Sequence, residues 1–414
     1  MRVWLLTVGE PLPTDGRGDR LWRTALLARA LVERGHEVIW WSSAFDHFRH
    51  ATRTPVDVPV LVSPGLTVWH LSGRAYQRNV SLARLLNHRQ VASSFTRLAE
   101  TQPRPDVVLS SLPIIELCVA SVAYGITRRI PVALDIRDLW PDVLADLVPS
   151  PLRPAARLGL RWMTAQLKQA ATGATAVLGV TDEFVSWALD AAGRARRAED
   201  RAFPMAYART TPGEGELAEA RKFWRAHGIT GHRPVVCFFG TLGWMFDFDT
   251  VLRAARRLHE SSSNVVFVLC GGNNVDDLRR RAKGLPNVVL PGHVGAAAIH
   301  ELMRESIAGL APYRPFRNFQ DNLPNKPIEY FSAGLPVITS EIAVLAALVR
   351  DQGCGIVYPH GDDAALAGAV ADLTANPARR AQLSARASTV FEERFVAERV
   401  YADMAAHLER LAHV

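Results

Sequence analysis

Cysteine is scarce: there are four in 414 residues, Cys118, Cys237, Cys270 and Cys354, far apart and with no C-x-x-C pair or histidine at ligand spacing. That excludes a disulfide scaffold, a zinc ribbon and a dithiol redox motif, and the apolar or glycine-rich settings predict buried thiols in a reducing compartment. Long hydrophobic runs are also missing. The apolar start at residues 3–8 stops at Gly9-Glu10-Pro11, too short for a secretory signal, and no stretch approaches the roughly 20 apolar residues that cross a bilayer. These absences predict a cytoplasmic chain; contact with the inner face of a membrane stays open. The loop after the first run holds Gly16-Arg17-Gly18 but has Leu21 where G-x-G-x-x-G needs its third glycine, so no dinucleotide cofactor is expected. No Ser-His-Asp or Cys-His arrangement stands out, and no motif of a nucleic-acid reader accompanies the arginines.

What is present is an ordinary globular composition, 48% hydrophobic and 21% charged, in a chain too long for one core and long enough for two domains. The net charge of +7 is unevenly spread: residues 1–210 carry 26 basic and 19 acidic side chains, residues 211–414 carry 22 of each. The excess is densest between Arg49 and Arg104, where eight arginines face only Asp57 and Glu100.

Short apolar runs alternate with amphipathic helical stretches, at residues 3–8, 37–41, 106–110, 131–135 and 174–179, and again at 235–239, 265–270, 288–290, 307–311, 337–339 and 356–357. That alternation predicts an α/β fold of two doubly wound, Rossmann-like domains, each a mostly parallel sheet wrapped by helices. Open α/β sheets bind ligands beyond the carboxyl ends of their strands, so two in tandem predict a cleft between them. Residues 193–216, rich in Arg, Gly, Pro and acidic side chains, read as a linker. Domains at 1–205 and 206–390 follow, with a helical segment at 391–414. In the first domain the spacing predicts a helix over 19–34, stopped by Gly35.

The most informative stretch is Gln320-Asp321-Asn322-Leu323-Pro324-Asn325-Lys326-Pro327-Ile328-Glu329, ahead of Gly334 and the run at 337–339. Asn325 can cap a helix whose first turn holds Pro327. Free N–H groups and the dipole at that N-terminus favour a phosphate. Lys326 adds a charge beside it, and Glu329, one turn further in, can accept from both hydroxyls of a ribose. The plainer alternative is a capped helix with Lys326 and Glu329 as a surface pair. Asp247-Phe248-Asp249 imitates a D-x-D metal site, yet it precedes a helix over 250–259 whose dipole accounts for acidic residues, so no metal is expected.

The segment 320–329 resembles the donor-site signature of glycosyltransferase family 4, a GT-B fold, in which two acidic residues stand eight apart as Asp321 and Glu329 do. Arg34-Gly35-His36-Glu37-Val38 is similar to the end of that family's first helix, and residues 353–359 and 362–373 to the elements after its donor segment. Asp135-Ile136-Arg137-Asp138-Leu139-Trp140-Pro141-Asp142 resembles a first-domain motif of the subgroup that builds surface polysaccharides, aminosugar transferases included. The resemblance implies two Rossmann-like domains facing a central cleft, the acceptor held by the first and the nucleotide sugar by the second, with a C-terminal helix crossing back to the first. It places Glu329 on the nucleotide ribose, Lys326 on the diphosphate and Asp321 on the donor sugar, one methylene short of the Glu usual there. Gly240, Thr241, Gly243, Asn322, Leu323 and Asn325 complete the implied donor site.

Two departures stand out. Where the family has an Arg beside the glycine after the second domain's first strand, and a Lys five residues on, this chain has Thr241 and Phe246. Diphosphate charge then falls to Lys326, to backbone N–H groups near Gly240 and Gly243, or to the first-domain loop with Gly16, Arg17, Gly18 and Arg20. Where many members have a His before the motif's Asp, this chain has Arg137, which leaves Asp138 to orient or deprotonate the acceptor hydroxyl, or only to cap the turn before Leu139. Arg137, Trp140, Phe48 and Arg49 are acceptor candidates, since aromatic wedges beside arginines suit an anionic membrane surface or the diphosphate of a polyprenyl carrier. Core plus a solvated loop is the plainer alternative for the last two.

The resemblance therefore implies a retaining, metal-independent glycosyltransferase, hexosyl or N-acetylhexosaminyl in type. It would move a sugar from a nucleoside diphosphate, UDP favoured, to a carrier-linked glycan or small-molecule acceptor, with no resident cofactor and no nucleic-acid partner. A nucleotide-sugar epimerase on the same fold and a non-catalytic GT-B partner subunit are the alternatives, the latter motivated by Thr241 and Phe246.

Overall fold

A computed structural model describes residues 1–16, 20–272 and 274–413. The chain divides into two compact units, Met1–Pro204 with Ala397–Val414, and Met205–Val396. The helix Pro377–Arg394 packs on the helix Asn325–Ser332 and so stays with the second unit, whereas Ala397–Leu411 packs on Arg23–Glu33 in the first. The chain thus returns to the first unit after Val396 rather than after residue 390.

The first unit is an eight-stranded sheet in the order Arg201–Ala202, Ala176–Gly179, Val132–Ile136, Val107–Ser111, Arg2–Leu6, Glu37–Ser43, Leu66–Leu71, Val58–Ser63. All neighbours are parallel except the last pair. The central strands are buried on both faces, which is why they read as continuous apolar runs. The antiparallel edge pair, turned by Gly65 at φ +85°, was not legible: Val58–Ser63 is half exposed and carries Pro59, so it has no such run.

The helix expected over 19–34 is Arg23–Glu33, because Trp22 is extended and Arg23 is drawn inward; Gly35, at φ +83°, stops it. The region expected as linker is tied down. Arg194 grips Asp200 at 2.6 and 2.8 Å, Asp200 accepts from the Val177 N–H at 2.7 Å, and Arg201–Ala202 joins the sheet edge. The closing helix is fastened by Glu409, which accepts from Arg34 at 2.7 and 2.6 Å and pairs with His36 at 2.7 Å. Those partners hold its carboxyl down at about 2.

The second unit is a six-stranded parallel sheet in the order Val288–Gly292, Val266–Cys270, Val235–Phe239, Ser306–Ala311, Val337–Ser340, Gly355–Tyr358. Numbered along the unit this is 3-2-1-4-5-6, and all six strands fall on the six apolar runs of the sequence. Gly309 has no side chain because the Tyr330 ring lies on it; a Cβ there would sit 2.3 Å from the ring. The Tyr330 hydroxyl donates to the Leu310 carbonyl at 3.0 Å, which clamps the helix Asn325–Ser332 to the fourth strand of this unit. Counted by unit, the charge excess is 27 basic against 22 acidic side chains in the first and 21 against 19 in the second. The acidic closing helix trims the imbalance seen along the sequence.

Candidate functional site

In the second unit the strand order reverses between Val235–Phe239 and Ser306–Ala311, the place where open α/β sheets bind ligands. Gly240 leaves the first of these strands at φ +135°, and a Cβ there would lie 2.5 Å from Cε and 2.6 Å from Nζ of Lys326. Only glycine lets the lysine rest against this backbone. The ammonium also stands 4.9 Å from the ring centre of Phe246 and 5.4 Å from that of Phe238. Burial pushes its pKa down, opposed by the field of Glu329 one turn along the helix. The charge is therefore held in a low-dielectric setting, where an anion repays it most. This is not the surface pair of the plainer alternative.

Phe246, standing where a second lysine was expected, is a core residue: it is buried, pairs by backbone with Tyr313 and floors Lys326. Thr241 is exposed. Together with Gly240 it lines an open cavity of about 300 Å³, shared with Gly271, Gly272, His293 and Val294 beyond the ends of the neighbouring strands and with Ile299 from the helix Ala296–Glu305. That volume is at the lower end for a small-molecule site. Gly243 sits in the turn behind, its carbonyl accepting from the Phe246 N–H at 3.1 Å.

The segment 320–329 differs locally from expectation. Pro324 holds the N-cap position and Asn325 is an exposed first-turn residue with no capping bond, because the preceding chain is already extended. Asp321 ends a short helix, Arg317–Gln320, 3.8 Å from Arg317. The Leu323 side chain is buried in the core. Asn322 Oδ1 is buried without a protein partner among the described residues, an unused acceptor in the same segment. Asp247 is a helix cap, accepting from Thr250 N at 3.2 Å and Oγ1 at 2.6 Å.

In the first unit the motif around Asp135 is mainly an ion network. Asp135 is fully buried and accepts from Arg23 at 3.0 and 2.9 Å and from Arg137 at 2.5 Å. These two guanidiniums outweigh the burial penalty and hold its carboxyl far below the usual range. Arg137 also binds Glu10 and donates to Thr24 Oγ1 at 3.0 Å, while Glu10 accepts from Thr24 N at 3.1 Å and Oγ1 at 2.8 Å. Arg137, proposed from sequence as an acceptor candidate, thus has an internal partner at each of its three nitrogens.

Trp140 is buried, with the Arg84 guanidinium 4.7 Å over its ring. Asp138 is half buried and acts electrostatically on Arg84. Phe48 is exposed and packs edge-on against Trp22 at 5.2 Å; Arg49 is exposed, with its backbone N–H on Asp46 at 3.1 Å. Gly16, at φ +67°, and Arg20 are exposed, whereas Arg17 and Gly18 lie outside the described residues. Arg53, part of the basic stretch, is an internal partner of Asp15 and Asp46.

Sequence reasoning did not bring together the group around Trp140: His47, Tyr76, Arg84, His88 and Glu116. Only the four-residue step from Arg84 to His88 on one helix was readable. His47 Nδ1 lies 2.8 Å from the Tyr76 hydroxyl. Burial, with the nearby Arg84 charge, pushes His47 down to about 4 and His88 to about 3, so both rings are neutral at physiological pH.

Two Rossmann-like units in this order define the class: the fold is GT-B. Solved structures covering essentially the whole chain share it. They include sucrose-phosphate synthase from Thermosynechococcus elongatus (TM-score 0.71, 16% identity, 99% of this chain and 98% of that one), and HepE of Anabaena in complex with UDP-glucose (TM-score 0.64, 16% identity, 100% of both chains). More particularly, residues 233–376 match the family model described as Glycosyl transferases group 1, so the second unit carries a glycosyltransferase domain of that group. A phosphatidyl-myo-inositol mannosyltransferase of Mycobacterium leprae is 29% identical over 133 residues, 32% of this chain and 34% of that protein. The alignment therefore spans about a third of the curated relative's length. Among the described residues no helix is long and apolar enough to cross a membrane.

Proposed function

We propose that the protein is a retaining glycosyltransferase that takes a sugar from a nucleoside diphosphate, UDP favoured, to a carrier-linked glycan or small-molecule acceptor, with no metal or resident cofactor required. The observation that carries this reading is the desolvated Lys326 ammonium on the Gly240 backbone, at the strand-order reversal and beside the 300 Å³ cavity. The cavity suits the nucleoside, Lys326 and the helix N-terminus suit the diphosphate, and Glu329 suits the ribose. Lys326 would stabilise the leaving diphosphate as charge develops on it, while the acceptor hydroxyl attacks from the same face and gives its proton to the departing β-phosphate oxygen. Asp138 would orient that hydroxyl, and Asp321 would contact the transferred sugar.

Association with the cytoplasmic face of a membrane belongs to the same proposal. Among the described residues, twelve large hydrophobic side chains are left exposed, and all but Trp244 belong to the first unit, which also carries most of the positive charge.

Titration with UDP and UDP-sugars is the test. Binding that Glu329→Ala weakens at least tenfold supports the donor assignment; failure of every nucleoside diphosphate to bind refutes it. Label passing from the UDP-sugar into a lipid extract or small acceptor supports transfer, and appearance only of a free sugar or a new epimer refutes it.

A further inference from the structure

In the first unit, a line of polar groups runs from the buried interior to a half-exposed guanidinium. Glu116 lies in the first turn of the helix Ile115–Arg128, is 7% exposed, and neither carboxylate oxygen has a hydrogen-bond partner. Its Oε2 is 3.8 Å from Nδ1 of His88, itself 1% exposed and likewise without a partner at that nitrogen. On the other edge of the ring, Nε2 accepts from Arg84 Nε–H at 3.3 Å. An acceptor at Nε2 fixes the neutral ring with its proton on Nδ1, the atom that faces Glu116. The Glu116 carboxylate faces that atom beyond hydrogen-bond distance, and the lone pair left at Nε2 is what orients Arg84.

Arg84 is held further by its Nη1 donating to the Asn79 carbonyl at 2.7 Å and by stacking 4.7 Å over Trp140. Its guanidinium is also 5.9 Å from the Tyr76 ring, and Asp138 is the carboxylate that acts on it electrostatically. Two of its three nitrogens are thus committed to orientation, while Nη2 donates to no protein group among the described residues. A surface arginine placed for solubility needs neither a buried carboxylate nor a buried neutral histidine behind it. Asp138 is the group assigned above to the acceptor hydroxyl, so an anion on Arg84 would belong to the same molecule as that hydroxyl.

We propose that Arg84 is the recognition residue for a phosphate group on the acceptor, aimed by His88 as a positioning residue, with Glu116 buried behind the ring. The inference rests on the transferase reading and names its acceptor class: a hydroxyl compound bearing a phosphate. A lipid-linked diphosphate and a soluble sugar phosphate share that chemistry.

The test is calorimetric titration of the full chain with UDP kept saturating, so that the donor site is filled. The probes are inorganic pyrophosphate, glucose 6-phosphate, and farnesyl diphosphate in detergent micelles. Binding of pyrophosphate is expected, and Arg84→Ala should weaken it about tenfold or more, the loss of a charge-assisted hydrogen bond, with UDP affinity unchanged. Whichever of the other two probes binds with the same dependence on Arg84 identifies the source. His88→Ala should weaken binding at unchanged UDP affinity and His88→Gln, which keeps an acceptor before Arg84, should restore it; a merely structural histidine would show no such rescue. Absence of phosphate binding in the UDP-loaded protein, or full affinity in Arg84→Ala, overturns the proposal while leaving the donor site standing. Failure of UDP itself to bind overturns the parent reading instead.

Discussion

Replacing Lys326 by methionine separates what this residue does for binding from what it does for the fold. Methionine keeps most of the stem that packs over Phe246 and Phe238 and fits against Gly240, but removes the charge. A charge-assisted hydrogen bond to a diphosphate contributes about 1.5–3 kcal/mol, so UDP should bind roughly 10- to 150-fold more weakly. Stability should move the other way or hardly at all. Burial lowers the lysine pKa, so the folded protein disfavours the ammonium relative to the unfolded chain; against this stands a cation–π contribution of about 0.5–2 kcal/mol. The two offset, and the melting temperature should stay within a few degrees. The pH dependence carries a sign as well. In the native protein UDP affinity should decline as pH rises towards the lowered Lys326 pKa, and the variant should lack that limb. Calorimetric titration between pH 7 and 10, with thermal denaturation alongside, reads all three quantities. Wild-type affinity in a folded Lys326→Met protein would refute the assignment of Lys326 to the diphosphate.

Four further outcomes follow from the geometry. Arg137→Ala leaves Asp135 buried with one of its two guanidinium partners and Glu10 without its own, and should cost about 3 kcal/mol in chemical denaturation while UDP affinity is retained. Because the Asp135 carboxyl titrates far below its unfolded value, the stability it supplies is present above about pH 4 and lost as pH falls further; acid unfolding should begin at higher pH in Asp135→Asn. Gly240→Ala should weaken UDP binding by displacing Lys326, and the double variant with Lys326→Met should be no weaker than Lys326→Met alone. Phe246→Lys, which restores the residue the family resemblance led us to expect, should destabilise the second unit by about 3 kcal/mol or more and gain no affinity, since it places a charge in the core beside Lys326.

The sequence by itself determined the six strands of the second unit, five of the eight in the first, and the existence of a helix after Pro324. Central parallel strands are buried on both faces, so each appears as an unbroken apolar run, and all six strands of the second unit were legible that way. Segment 320–329 stands out in the sequence because the phosphate and ribose chemistry proposed for it calls for particular side chains at short, fixed spacing along one helix. The tertiary structure alone decided which charges are available. Arg137 and Arg53 look like surface charge in the sequence but are consumed by Asp135, Glu10, Asp15 and Asp46, and Phe246 turns out to be the floor under Lys326 rather than a vacancy left by a missing lysine. The line from Glu116 through His88 to Arg84 had no signature, because it joins two helices, Leu82–Ala99 and Ile115–Arg128, that become neighbours only in the folded unit. Periodicity records which face of an element is buried; it does not record which distant partner a buried charge will find.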